Sequence, residues 1–259
     1  MSRDTRSDFD DQVALGNVEG VYSVNKYGRS TNVDATATDI WDLTASQPIW
    51  LAPTASRIHA IVSASANDTA AGTGARTVQI YGLKDWDSKE SSEVITMAGE
   101  TPVNTENAYV IIHRMKVLTW STAGPNAGII KATAASDSTI TAQILAGAGQ
   151  TQMAIYGVPS TQTLLINKMY TSLLQASALT GLCDITLLYN PIPKTLTTKF
   201  LTKHSSGISA VGDSRSPDDF KPAKKFLGPG ILKIQALGSA ADLDVSAGFD
   251  GKLYDNTLQ

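Results

Sequence analysis

The chain is short of the residues that carry most chemistry. There is one cysteine, Cys183, in 259 residues, so no internal disulfide can form. It lies in the apolar run Leu182–Leu188, where a cysteine acts as a small buried hydrophobe and not as a nucleophile. There are three histidines, His59, His113 and His204. None belongs to an H-E-x-x-H pair, and no two have the spacing of metal ligands. His59 and His113 fall inside expected strands and read as structural. Neither a G-x-S-x-G elbow nor a G-x-x-x-x-G-K-[ST] loop is present, which removes the local signatures of α/β-hydrolases and P-loop nucleotide binding. Basic residues do not outnumber acidic ones: 21 Lys and Arg stand against 24 Asp and Glu, for a net charge of −3. That excludes the basic field a nucleic-acid partner requires. No apolar run reaches the roughly 18 residues of a membrane-spanning helix. The start, M-S-R-D-T-R-S-D-F-D-D, lacks the apolar stretch of a secretory signal, so a soluble product of a cytoplasm is expected. Charge of either sign is sparse, at 17%.

Small residues and alternation take the place of what is missing. Arg57–Gly82 sets the pattern: R-I-H-A-I-V-S, a loop of small polar residues, then R-T-V-Q-I-Y-G. Ile58, Ala60 and Val62 share one face of a strand; Val78, Ile80 and Gly82 share a face of the next, opposite Thr77, Gln79 and Tyr81. The segment Asn67–Gly74 supplies the turn chemistry, and the whole reads as a hairpin. The grammar repeats along the chain. Strands are expected near Val18–Gly28, Pro48–Pro53, Glu93–Met97, Tyr109–Thr119, Ile129–Thr133, Thr139–Ile144, Met153–Tyr156, Ile185–Tyr189 and Ile231–Leu237. In Thr139–Ile144, Ile140, Ala142 and Ile144 face inward, with Thr139, Thr141 and Gln143 outward. In Ile231–Leu237, Leu232, Ile234 and Ala236 face inward, with Lys233 and Gln235 outward. The last strand is the clearest: Val245, Ala247, Phe249, Gly251 and Leu253 on one face, and Asp244, Ser246, Asp250 and Lys252 on the other. Leu164–Leu174 fits helical as well as strand spacing and is assigned as strand on its Thr, Tyr and Ile content. About a dozen strands without interleaved helices predict an all-β, antiparallel, jelly-roll-like sandwich. Residues 1–16 read as a flexible arm, 17–259 as the sandwich, and 203–225 as an inserted polar loop region.

Weak chemical candidates remain. Gly72-Thr73-Gly74 and Gly147-Ala148-Gly149 look like fragments of a phosphate loop, but each leads into a strand and not into a helix. Asp218/Asp219, Asp242/Asp244 and Asp34/Asp39/Asp42 offer oxygens for Ca²⁺, yet no spaced loop motif accompanies them, and solvated turn carboxylates are expected. Trp41, Trp50, Trp86 and Trp120 lie near strand ends, where rings cap a core, mark an interface or line a sugar site, in that order. No catalytic, cofactor-binding or metal-ligating residue is therefore assigned, and no cofactor. The expected product is not an enzyme.

Several strings together resemble a known family. They are V-N-K-Y-G-R-S-T-N-V-D, S-A-N-D-T-A-A-G-T-G-A-R-T-V-Q-I-Y-G-L, V-I-T-M-A-G-E-T-P-V-N-T-E-N-A-Y with H-R-M-K-V-L, G-P-N-A-G-I-I-K-A-T-A, I-L-A-G-A-G-Q-T-Q-M-A-I-Y-G-V-P and D-V-S-A-G-F-D-G-K-L-Y-D-N. They are similar to virion structural proteins of tailed bacteriophages, especially marine ones, across most of residues 17 to 256. The resemblance is most specific at Ala66–Arg76 and at Gly149-Gln150-Thr151, Met153 and Tyr156. It implies a particle component without catalytic residues: a capsid-decorating or head-associated protein, or else a tail adaptor, tail-tip or fibre-associated protein contacting the tail or host glycans. Its implied partners are other copies of itself, as a homotrimer, and other virion proteins such as the major capsid protein, with no nucleic acid and no membrane.

Overall fold

A computed structural model describes residues 9–42, 47–175, 181–210, 215–241 and 243–258. The described residues are all-β, with 16 strands. A short helix, α1 (Phe9–Ala14), precedes β1 (Val21–Val33), β2 (Thr38–Asp39), β3 (His59–Ser63), β4 (Ala75–Leu83), β5 (Ser91–Thr96), β6 (Val103–Asn104), β7 (Ile111–Trp120) and β8 (Ile130–Ala134). Then come β9 (Ile140–Ile144), β10 (Ile155–Val158), β11 (Gln162–Gln175), β12 (Leu182–Asn190), β13 (Leu201–Ser209), β14 (Arg215–Leu227), β15 (Gly230–Gly238) and β16 (Leu243–Asp255). Leu164–Leu174 is strand, within β11. No helix among the described residues is long and apolar enough to cross a membrane.

The strands form four antiparallel sheets, in place of the single two-sheet jelly roll expected. Their orders are β1-β16-β11-β14, β10-β15-β12-β13 with β2 beside β15, β6-β3-β8-β9, and β5-β4-β7. Apolar faces pair them into two bodies. The first two sheets enclose one core, with Ile166, Met169, Ile185, Leu187, Ile234, Val245 and Phe249 at its centre. The last two enclose another, built on Ile61, Val78, Ile80, Ile112, Met115 and Ile130. Strand β10 belongs to both: Tyr156 and Val158 pack into the first core, Ile155 into the second.

The Arg57–Gly82 stretch is an arch and not a hairpin. Strand β3 pairs with β6 and β8, and β4 pairs with β5 and β7, so the loop between them crosses from one sheet to the facing one. The buried face of β3 carries His59, Ile61 and Ser63, while Ala60 and Val62 are half-buried. The face expected for β4 is the one found, with Val78, Ile80 and Gly82 inward. The loop folds around Asp68, whose side chain is fully buried. Its Oδ1 accepts from the backbone N–H groups of Ala75 (2.7 Å) and Ala127 (2.8 Å), and its Oδ2 from Ser63 Oγ (2.6 Å) and the Gly128 N–H (2.9 Å). Burial alone would raise its pKa, but those four donors hold the carboxyl below its ordinary value. Gly74 is required here, since a Cβ at that position would lie 2.0 Å from Asp68 Oδ1.

Five further expectations change in the fold. Pro48–Pro53 is not a strand; the prolines deny it a ladder, and its Trp50 plugs the second core, with Nε1 donating to the Thr141 carbonyl (2.9 Å). That segment and Asp42, which accepts from Gln143 (2.9 Å), cover the outer face of β9, so Thr141 and Gln143 are buried, not exposed. Lys233 is buried likewise, its ammonium paired with Asp39 of β2 at 2.6 Å and set over the Phe200 ring. Residues 203–225 form most of β13 and β14, two strands that lie at the edges of different sheets and so keep polar, half-exposed faces. At the N-terminus residues 1–8 lie outside the described residues. Phe9–Ala14 is helical and rests on its own chain, with Val13 buried and Asp10 paired to Lys252 at 2.7 Å.

Candidate functional site

The residues weighed from sequence do not converge. His59 sits in β3, buried, with Nδ1 bonded to the Arg57 carbonyl (2.9 Å); burial drives its pKa down to about 4. His204 lies on edge strand β13, 3.2 Å from Asp218 of β14. Cys183 is buried, which pushes its thiol up to about 11. Among the acidic groups, Asp34 caps the Thr36 N–H (2.6 Å), and Asp244 forms an ion pair with Arg29. Asp219 is exposed on β14, and Asp242 lies outside the described residues. Asp39 and Asp42 are not solvated turn carboxylates. Asp39 is fully buried and pairs with Lys233 (2.6 Å), the Trp50 N–H (2.8 Å) and Gln235 (3.0 Å). Asp42 is buried with one partner, the Gln152 N–H (2.7 Å), and burial raises its pKa to about 7. Among the described residues no group of three or more His, Cys, Asp or Glu side chains is placed to hold a metal ion. Trp41, Trp50 and Trp86 fill the second core, whereas Trp120 is 54% exposed at the end of β7. The glycine pairs are packing devices: Gly147 and Gly149 both take positive φ (75° and 72°), in a turn tied to Asn126.

One site does assemble, at the junction of the two bodies. Strand β1 contributes Tyr22 and Lys26, β7 contributes His113 and Arg114, β10 contributes Tyr156, and Glu90 enters from the segment before β5. Together with Tyr81 and Gln162 they line a cavity of about 430 Å³. Pockets of this size, between about 300 and 1,000 Å³, are typical of small-molecule sites and favour such junctions. The alternation of β1 places Lys26 inside, since it shares the inward face with Val24, Gly28 and Ser30. Its ammonium donates to the His113 carbonyl, and no carboxylate among the described residues lies within ion-pair distance of it. Burial, and next the charge of Arg114, lower the Lys26 pKa to about 7; Glu90 works in the opposite sense.

His113 is paired with Glu90, Nε2 to Oε2 at 2.6 Å, and its ring tilts on Tyr156 with centroids 4.6 Å apart. Burial lowers the imidazole pKa despite the nearby carboxylate. For Glu90, burial alone would raise the pKa, but His113, Lys26 and Arg114 together hold it low. A carboxylate can only accept, so Nε2 of the neutral imidazole carries the proton and Nδ1 is left as an acceptor. That Nδ1 is buried and has no partner among the described residues. Gln162 is 2% exposed; its amide donates to Asp255 (2.8 Å), while its Oε1 is buried and unpartnered. The residues that line the cavity thus include two buried acceptors with no partner among the described residues and a lysine with N–H groups to spare. The sequence carried a signal for Lys26, a lysine on the apolar face of an alternating strand. It carried none for Gln162 or Glu90, which only the packing of the two bodies brings to His113.

No family model matches the chain, and no curated protein matches it. Among solved structures, distant likenesses are to the infectious bursal disease virus VP2 subviral particle and to the Gx strain of the same virus. The first is 9% identical with a TM-score of 0.22, over 90% of this chain and 69% of that one. The second is 7% identical with a TM-score of 0.23, over 92% and 70%. Scores this low carry no statement about what the chain does.

Proposed function

We propose that the chain is a non-enzymatic structural protein of a tailed-phage particle, a capsid-decorating or head-associated component that self-associates, as a trimer, on the shell. The observation that carries this reading is the sequence resemblance to virion proteins, taken with where its most specific strings fall. Ala66–Arg76 is the arch folded on Asp68. Gly149-Gln150-Thr151 lies along β7, where the Thr151 N–H donates to the Met115 carbonyl (2.9 Å) and the Gly149 carbonyl accepts from Val117 (2.7 Å), and Gln150 ties it to the first body by donating to the Tyr27 hydroxyl. The strings that carry the resemblance thus serve to hold sheets together, as suits a rigid building block. A low fraction of charged residues favours a surface partly covered by neighbours. The test is a reconstruction of the particle with mass spectrometry of its proteins. The expected result is this fold in many copies over the head shell. A few copies at the tail would transfer the protein to the tail-adaptor or fibre-associated class, and its absence from the particle would overturn the reading altogether.

A further inference from the structure

We infer that the cavity between the two bodies is a binding site for an acidic saccharide, a sugar ring bearing a carboxylate. The inference is independent of where the protein sits in a particle. Three buried groups of the wall lack partners that a ligand could supply. Gln162 Oε1 and His113 Nδ1 both accept, so the ligand must donate to each, as hydroxyl groups do. Lys26 Nζ has three N–H groups and uses one, on the His113 carbonyl, so the ligand must also accept. A polyol answers both needs because each hydroxyl donates and accepts.

The charge on the wall selects the acid. Lys26 and Arg114 face one carboxylate, Glu90, which is already engaged by His113; Lys89 is bound by Asp255 at 2.6 Å. With Lys26 protonated, one cation is in excess in a partly dry site, which favours a carboxylate over a neutral ring because screening there is weaker than in water. The non-polar CH face of a sugar needs an aromatic surface, and Tyr22 at the rim, 43% exposed, and Tyr156 inside supply it.

The experiment titrates the intact protein with glucuronate and sialic acid, and with glucose, galactose and acetate as comparisons, read by calorimetry or chemical-shift changes. The acids are expected to bind at millimolar concentration or tighter. Lys26→Met and Tyr22→Ala should each weaken glucuronate by about tenfold, one lost contact of roughly 1.4 kcal/mol. Tyr22 is at the rim and Met suits the buried Lys26 position, so both variants should fold, which a thermal melt verifies. Acetate has the carboxylate without hydroxyls and should bind far more weakly. Four outcomes each overturn the inference: neither acid binds, both variants bind as wild type does, acetate matches glucuronate, or the neutral sugars match the acids.

Discussion

Single buried charges decide much of the local structure, and each is judged by its partners. Asp68 collects four donors and stays ionised, so its burial is compensated and the arch is fixed. Lys26 is the opposite case, with one carbonyl partner and a pKa of about 7 in place of 10.5. The unfolded chain keeps this proton to higher pH than the folded one, so unfolding takes up a proton between about pH 7 and 10.5. Stability therefore rises with pH across that window, and the cost of the buried ammonium is complete below it. A shift of this size amounts to a few kcal/mol, at roughly 1.4 kcal/mol per unit. Lys26→Met should stabilise the protein by that much at about pH 6, and the gain should shrink toward about pH 10. Denaturant midpoints of both proteins along the pH series measure it; a gain independent of pH would show that the ammonium is not the cause.

At the scale of strands, alternation predicts a face correctly where one side of the sheet meets solvent. Strand β16 is such a case. Val245, Ala247, Phe249 and Leu253 are buried, while Asp244, Ser246, Asp250 and Lys252 are half-exposed. Phe249→Ala should cost about 3–5 kcal/mol, the loss of a fully buried ring. Asp244→Ala removes only a surface pair with Arg29 and should cost under about 1 kcal/mol. Equal costs in urea unfolding would mean the faces are reversed. Alternation fails where both faces are covered. In β9 and β15 the polar residues Thr141, Gln143 and Lys233 looked outward, yet residues 38–42 and 47–53 fold over them. Nothing local in β15 announces Asp39, about two hundred residues away, as the partner of Lys233. The arch escapes the sequence for a related reason: a turn-rich loop between two strands is equally compatible with pairing them or with sending them to facing sheets. The cavity was illegible for the same cause, since its wall is assembled from seven separate stretches.

The whole molecule has two cores, but its connections argue against two independent units. Strand β10 is buried on both sides, and β15 sends Ile231 to one core and Leu232, Ile234 and Ala236 to the other. Ile40 and Trp41, adjacent in the chain, likewise divide between them. Melting either core would strip apolar contacts from strands that the other needs, so unfolding should be a single cooperative transition, as in a small domain. Scanning calorimetry should give one peak with equal calorimetric and van't Hoff enthalpies. Gly157 tests the coupling directly. It faces the second body so closely that a Cβ would lie 2.9 Å from Ile111 Cγ2 and 3.2 Å from Leu83 Cδ1. Gly157→Val would wedge β10 away from β4 and β7, at a cost of about 1–3 kcal/mol for overpacking. If β10 is the shared element, that variant should broaden or split the transition, and an equally destabilising cavity inside one core, such as Ile185→Val, should lower a single peak without splitting it. Two peaks already in the wild-type protein would show the cores to be autonomous and β10 to be only their linker.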